Sequence, residues 1–249
     1  MALGKRPPQY AHIPLILNKN GSKMSKRDEG ASITSYIENG YVPAAVRNYL
    51  ALLGWSPKDG REELALEETI GLFDLDKVHR KNAQFDIDKC LWLNGQHILH
   101  MSAEEFQGKA VAFLRNRRFA HCEHASLPRV LVLIQEKVKS LAELPAAIGF
   151  FFEDDFAIDQ AAYSKAFSSP EIRPHLLALA DAFAAETDWS QAALEQTLKE
   201  TAAKLGIKSN SLLLPLRVAI SGRAGGPGLY PVLEILGRER TLFRLRKVG

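Results

Sequence analysis

Apolar residues recur at helical spacing along most of this chain and at strand spacing along very little of it. The exception lies near the front, where HIPLIL, residues 12–17, is a short apolar run that predicts a strand. NKNGS follows it, and Asn20-Gly21 is a strong turn pair. SKMSKRDEG then prolongs the loop. Ser32 stands where it can cap a helix over 33–39, with Gly40 as its stop. Pro43 suits the first turn of a second helix, in which Val46, Tyr49, Leu50 and Leu53 share one period. Ile37, Val46, Leu50 and Leu53 are expected to face inward. Gly54 ends that helix, and the turn SPKDGRE leads into LALEETIGLF. Trp55 is expected to anchor a core.

Beyond Asp86 the pattern is wholly helical. It predicts helices over about 87–98, 103–115, 127–139, 159–167, 171–186 and 190–205, separated by turn signals such as Ser102, Ser126, Pro170 and Gly206. Asp86 is the expected cap of the first, with Leu91, Leu93, Ile98 and Trp92 in its core. At the C-terminus an apolar helix precedes a Gly-rich turn at 225–228, then a helix at VLEILG, then a basic helix. The fold class predicted is mainly α-helical, with a small mixed α/β region over 1–85, a first helical subdomain over 86–150 and a second over 151–249. GFFFEDDF, which turns from apolar to acidic, marks the second division. There is no Gly-rich strand–turn–helix fingerprint, and no alternation of strands and helices long enough for a doubly wound sheet. An N-terminal Rossmann catalytic fold is therefore expected to be absent from this chain.

Composition narrows the class. Of 249 residues, 46% are apolar and 24% charged, as in ordinary globular proteins and unlike disordered ones. No 18-residue apolar stretch occurs and MALGKRPPQY has no signal-peptide core, so neither a membrane span nor a leader is predicted. Cys90 and Cys122 stand far apart without ligand spacing, which fits a reducing cytoplasm and excludes a structural zinc. The net charge of +3 hides an asymmetry: residues 204–249 are net +7, whereas 31–203 are net −8. That pattern predicts local anion-facing patches at the two ends, not a basic coat.

Three constellations bear on chemistry. In GSKMSKRDEG, two lysines three apart, Lys23 and Lys26, flank Ser25 and can face a pyrophosphate, a lysine being a compact cation able to follow charge that moves during phosphoryl or nucleotidyl transfer. As a solvated surface turn the same cluster needs no function. His79, Arg80 and Lys81 form a second basic cluster, able to neutralise backbone phosphates or simply to meet solvent. Asn48, Lys58 and Arg61 are weaker candidates for phosphate contact. The third is the C-terminal run of Arg217, Arg223, Arg238, Arg240, Arg244 and Arg246. SGRAGGPG within it resembles a phosphate nest but lacks the following Lys-Ser/Thr of a mononucleotide site. Recognition of a splayed single-stranded RNA loop suits it better.

PLILNKNGSKMSKRDEG resembles the second signature loop of class I aminoacyl-tRNA synthetases, here KMSKR. YAHIPLIL before it, GASITSYIENGYVPAAVRNYLALLGW after it, FDIDKCLWLNGQHI, and LGIKSNSLLLPLRVAISGRAGGPGLYPVLEILGRERTLFRLR resemble the bacterial-type glutamyl-tRNA synthetases. The resemblance covers about half the chain and corresponds to roughly the C-terminal half of such an enzyme, beginning just before the KMSKR strand. It implies that Lys23 and Lys26 contact ATP phosphates, Lys26 being the stronger catalytic candidate. Ser25 and Arg27 would support them and Met24 would anchor the loop by packing. It also implies that 1–85 is a connecting domain leaning on tRNA through His79, Arg80 and Lys81, and that the helical remainder binds the anticodon through Arg217, Arg223, Arg238, Arg240, Arg244 and Arg246. ATP with Mg2+ would be a substrate of the full-length enzyme, with no metal site in this chain. The partners implied are tRNA(Glu), ATP and glutamate, in a cytoplasmic monomer. The first signature of class I enzymes, the HIGH-like motif, is absent, since Pro14-Leu15 follow His12-Ile13. The isolated chain is thus expected to be inactive. A freestanding tRNA-binding module that keeps KMSKR as a relic is the alternative. Glutaminyl enzymes share an SKR-type loop but carry β-barrel anticodon regions, so the helical pattern favours the glutamate branch.

Overall fold

Ile16–Leu17 (β1) pairs in parallel with Ala83–Gln84 (β2), Ile16 opposite Ala83 and Leu17 opposite Gln84. The computed structural model describes Gly4, Tyr10 and residues 12–28 and 30–248. Most of MALGKRPPQY, with Ala11, Glu29 and Gly249, lies outside the described residues. The predicted strand over 12–17 contracts to two residues. Its partner went unpredicted because two residues are too few to show a period.

Two compact units divide the chain, Met1–Met101 with Lys139–Ala142, and Ser102–Val138 with Glu143–Gly249. In the first unit β1 leads through the lysine loop to helices Ile33–Glu38 (α1), Pro43–Leu52 (α2) and Leu66–Leu72 (α3), and β2 leads to Ile87–Leu99 (α4). Asp86 caps α4 as expected, accepting from the amides of Asp88 and Lys89. Helices α2 and α4 pack on each other over a core of Tyr36, Val46, Tyr49, Phe85, Cys90 and Leu93. Edge-on ring contacts tighten it, Tyr36 with Tyr41 at 5.3 Å and Tyr49 with Phe85 at 5.4 Å. Burial pushes the Cys90 thiol up to about 12, so this cysteine behaves as an inert apolar side chain.

Several inward assignments are corrected. Ile37, Leu50 and Trp92 are exposed, because their neighbours Tyr36, Tyr49 and Leu93 take the inner face. Successive helical residues differ by about 100° around the axis, so one position decides which is buried. Trp55 is buried, as predicted.

A link that no local pattern announces joins distant segments of this unit. Asn94, fully buried on α4, accepts from the Val42 amide at 2.8 Å and donates to the Lys139 carbonyl at 2.6 Å. Gly40 closes the same seam at φ +70°, where an added Cβ would lie 2.3 Å from the Ala142 nitrogen. Only glycine fits there.

Among the described residues, every regular element of the second unit is a helix. Ala103–Asn116 (α5), Leu127–Ile134 (α6) and Leu144–Ile148 (α7) pack together. Gln160–Ala166 (α8), Ile172–Ala185 (α9), Gln191–Lys204 (α10), Asn210–Ser221 (α11), Leu229–Leu236 (α12) and Arg238–Val248 (α13) follow. Helix α9 packs against α10, α11 and α13, burying Leu176, Leu179, Ala180 and Phe183. Each large apolar side chain so buried contributes about 1.5–3 kcal/mol relative to leaving it in water. The predicted helix over 127–139 ends at Ile134, after which Gln135–Lys137 tightens into a 3-10 turn. Among the described residues no helix is long and apolar enough to cross a membrane.

Candidate functional site

The lysine loop is built by its own hydrogen bonds. Asn18, at the end of β1, donates from Nδ2 to Asp28 at 2.8 Å, and the Ser25 amide donates to the same carboxylate oxygen at 2.7 Å. These bonds hold the Asp28 carboxyl below its ordinary pKa, Asn18 being the larger cause. Lys19 donates to Asp88 at 2.9 Å and its carbonyl accepts from Gln84 at 2.6 Å, bracing the loop's root. Met24 packs against the core of the first unit, as the resemblance implied. Lys23, Ser25, Lys26 and Arg27 are exposed. The side chains of Lys23, Lys26 and Arg27 make no hydrogen bond or ion pair with a described residue. Asp28 is engaged by Asn18 and the Ser25 amide and makes no ion pair with these three cations.

His79, Arg80 and Lys81 are also exposed. His79 lies 3.2 Å from the Ser56 hydroxyl, and the cluster is otherwise open. Two weaker candidates are committed elsewhere. Arg61 pairs with Asp59 and Glu68. Asn48 is buried, accepting from the Leu64 amide and donating to the Glu62 carbonyl.

The C-terminal arginines divide into two sets. Arg244 is 2% exposed and its donors are spent indoors. It donates to the carbonyls of Ile220 at 2.6 Å, Phe150 at 2.8 Å and Glu153 at 2.8 Å, and to the Asp154 carboxylate at 2.8 Å, with its guanidinium 4.7 Å from the Phe156 ring centre. Arg240 reaches the Phe151 carbonyl at 2.6 Å and shares Asp154 at 3.1 Å. Arg238 donates to the Glu186 carbonyl and lies over the Trp189 ring at 5.5 Å. These three satisfy carbonyls left open at helix and turn ends. Arg217, Arg223 and Arg246 form the other set. Arg246 is exposed beside Asp181 at 3.8 Å, a weak surface pair.

Arg217 and Arg223 meet at the Gly-rich turn. Together with Lys137, Ser221 and Gly225–Pro227 they line a pocket of about 100 Å³ that no carboxylate enters. Arg217 is half-buried, holds the turn through the Pro227 carbonyl at 2.7 Å, and has its pKa lowered by burial. Arg223 reaches back to the Ala146 carbonyl at 2.6 Å. Gly226 sits at φ +147°, a conformation that favours glycine, beside the Arg217 guanidinium. Three cations without an acid attract an anion, and the pocket suits one phosphate-sized group or base edge. Lys137 was not singled out from the sequence. It follows α6, far from the arginine run, and only the packing of α6 on α12 delivers it. Among the described residues no three or more His, Cys, Asp or Glu side chains are placed to hold a metal ion.

Residues 103–248 match the anticodon binding domain model, and residues 1–92 match the model for the catalytic domain of class I tRNA synthetases (E and Q). The glutamate–tRNA ligase of Akkermansia muciniphila is 46% identical over 98% of this chain and 55% of its own length. That of Methylacidiphilum infernorum is 40% identical over 99% of this chain and 56% of its own. The crystal structure of a glutamate tRNA ligase from Elizabethkingia meningosepticum CCUG26117, in complex with its amino acid, superposes with a TM-score of 0.86 at 29% identity, covering 99% of this chain and 52% of that one. The chain spans about half the length of the curated relatives it matches. It belongs to the glutamate–tRNA ligase family of class I aminoacyl-tRNA synthetases, with an anticodon binding domain in its second unit.

Proposed function

We propose that this chain is the lysine-loop and tRNA-binding part of an enzyme that activates glutamate with ATP and transfers it to the 3′ end of tRNA(Glu). The observation that carries the reading is the acid-free pocket where Lys137, Arg217 and Arg223 converge on the Gly-rich turn. A polyanion is drawn to such a site, and unstacked loop bases expose edges that arginine can read. Arg217, Arg223 and Arg246 face the RNA. Arg238, Arg240 and Arg244 serve it indirectly, by holding α13 and the 149–154 segment in place. His79, Arg80 and Lys81 meet backbone phosphates further along the tRNA.

Lys23 and Lys26 hold ATP phosphates, with Lys26 acting mainly as charge builds in the transition state and Ser25 and Arg27 in support. Magnesium arrives with the ATP. Residues 1–85 then form the connecting domain, and 86–150 and 151–249 two anticodon-binding subdomains. The enzyme works in the cytoplasm as a monomer. Adenylation requires preorganised groups on several sides of the reacting phosphate, so the 249-residue chain alone is inactive in pyrophosphate exchange. A freestanding tRNA-binding module is the second reading, favoured by the second unit's own core. A nucleotide-binding fold encoded in frame upstream would exclude it.

Titration of the chain with tRNA(Glu) and an anticodon-swapped version, at two salt concentrations, tests the proposal. Salt-sensitive binding that prefers the cognate anticodon is expected. Equal affinity for both RNAs would remove the anticodon assignment, and absence of salt-sensitive binding would remove the RNA face.

A further inference from the structure

The second unit holds a cleft larger than the pocket on the Gly-rich turn. Its volume is about 290 Å³, and it lies between the 154–163 segment, α11 and the end of α13. Phe156, Ile158, Ala219 and Val248 give it apolar walls, and Asp154, Asp155, Arg244 and Lys247 bring two charges of each sign. The walls are fastened before any ligand arrives. Arg244 is spent on three carbonyls and on Asp154, with its guanidinium against the Phe156 ring. The Asp159 amide donates to the Gly222 carbonyl at 2.9 Å, and Gly222 leaves no room for a Cβ against the Ala157 carbonyl, so the segment lies tightly on the end of α11. Tyr163 is held by Arg173, which donates to its hydroxyl at 2.9 Å. A cleft fixed in this way needs little ordering to bind a small molecule.

The charges left over define the ligand. Asp154 and Arg244 neutralise each other. Asp155 and Lys247 are exposed, and neither side chain has an ion-pair or hydrogen-bond partner among the described residues. A phosphate backbone would meet two carboxylates here, and a polyamine would meet Lys247. An uncharged apolar molecule would strip water from Asp155 and Lys247 and put nothing in its place. A molecule with one ammonium and one carboxylate on a small apolar body satisfies every group. We infer that this cleft binds a free α-amino acid with an apolar side chain, its ammonium on Asp155, its carboxylate on Lys247 and its side chain against Phe156 and Ile158. Glutamate does not suit it, because a second carboxylate would be buried against those apolar walls. The inference stands whether or not the chain reads an anticodon.

Isothermal titration calorimetry of the 249-residue chain with L-phenylalanine and L-leucine tests it. Submillimolar binding of at least one is expected, and L-glutamate should not bind. N-acetyl-L-phenylalanine lacks the ammonium and L-phenylalaninamide lacks the carboxylate. Each should bind at least about tenfold more weakly than the free amino acid, since one charge-assisted hydrogen bond is lost. Asp155→Asn and Lys247→Gln change exposed side chains, so both variants should keep the native fold by circular dichroism and weaken binding by a similar factor. The losses from Asp155→Asn and from N-acetylation should not add, because both remove the same contact. Amide NMR resonances of Asp155, Phe156, Ile158 and Lys247 should shift on binding, and those of α2 and α4 should not. No binding of either amino acid at about 10 mM overturns the inference. So does equal affinity for glutamate, unchanged affinity in either variant, or shifts confined to other residues.

Discussion

Asn18 reaches across the lysine loop to Asp28, its Nδ2 donating to the carboxylate at 2.8 Å. The bond joins the end of β1 to the residue just beyond Lys26 and Arg27. It shapes the loop, and it engages the Asp28 carboxylate, which makes no ion pair with the lysines.

The clasp is expected to have a pH signature. The folded-state pKa of Asp28 is depressed, first by Asn18 and then by the Ser25 amide. Its contribution is therefore present above the ordinary carboxylate value near 3.8 and is lost as pH falls through the lower folded value. The Ser25 amide resonance should titrate with a midpoint below 3.8, and Asp28→Ala should abolish that titration. A midpoint at or above 3.8 would show the clasp open in solution.

In a full-length ligase carrying this segment, Lys26→Ala is expected to slow adenylate formation by about a hundredfold while changing ATP affinity little. Loss of a transition-state contact to a charged group is worth about 3 kcal/mol. Pre-steady-state measurement of adenylate formation checks it. A defect confined to ATP affinity would count against the assignment.

Arg244 and Arg246 stand two residues apart and should behave oppositely. Arg244→Ala leaves three carbonyls without this donor and Asp154 with Arg240 alone, at a cost of about 1–3 kcal/mol for each buried group left unmet. Arg246→Ala removes an exposed pair worth about 1 kcal/mol or less. Urea unfolding distinguishes them, and similar midpoints for the two variants would refute the division of the arginines.

His97 couples the first unit to pH in the neutral range. Its Nε2 donates to Asn48 at 2.9 Å, and its pKa is lowered below 6.5, mainly by burial, with Arg47 and His100 adding to the effect and Glu63 opposing it. The unfolded chain takes up the proton first, so stability is full above pH 6.5 and declines as pH drops below it. The urea midpoint should fall between pH 7.5 and 5.5, by less in His97→Gln. An unchanged midpoint in the native protein would contradict the burial.

Much of the architecture was legible in the sequence because helices advertise themselves over many residues. Asp86, Pro43 and Gly40 each mark a boundary that the structure keeps. The lysine loop was legible as a motif, and its exposure follows. What could not be read depends on partners distant in sequence. Arg240 and Arg244 add to the charge of the C-terminal run, yet their guanidinium groups are consumed by carbonyls about ninety residues away. Lys137 is unmarked by its neighbours and gains meaning only beside Arg217 and Arg223. Ile37 and Leu50 fit the apolar period but lose the inner face to tyrosines one position earlier.

The most direct test of the central claim uses the pocket on the Gly-rich turn and an RNA hairpin carrying the glutamate anticodon. Lys137→Ala and Arg223→Ala lie on exposed side chains, so both variants should keep the native fold by circular dichroism. Each is predicted to weaken hairpin binding several-fold and, where its cation meets a phosphate, to lower the slope of log affinity against log salt by about 0.9. The preference for the cognate over the swapped anticodon should shrink in at least one of them. Unchanged affinity, slope and preference in both variants would contradict the account.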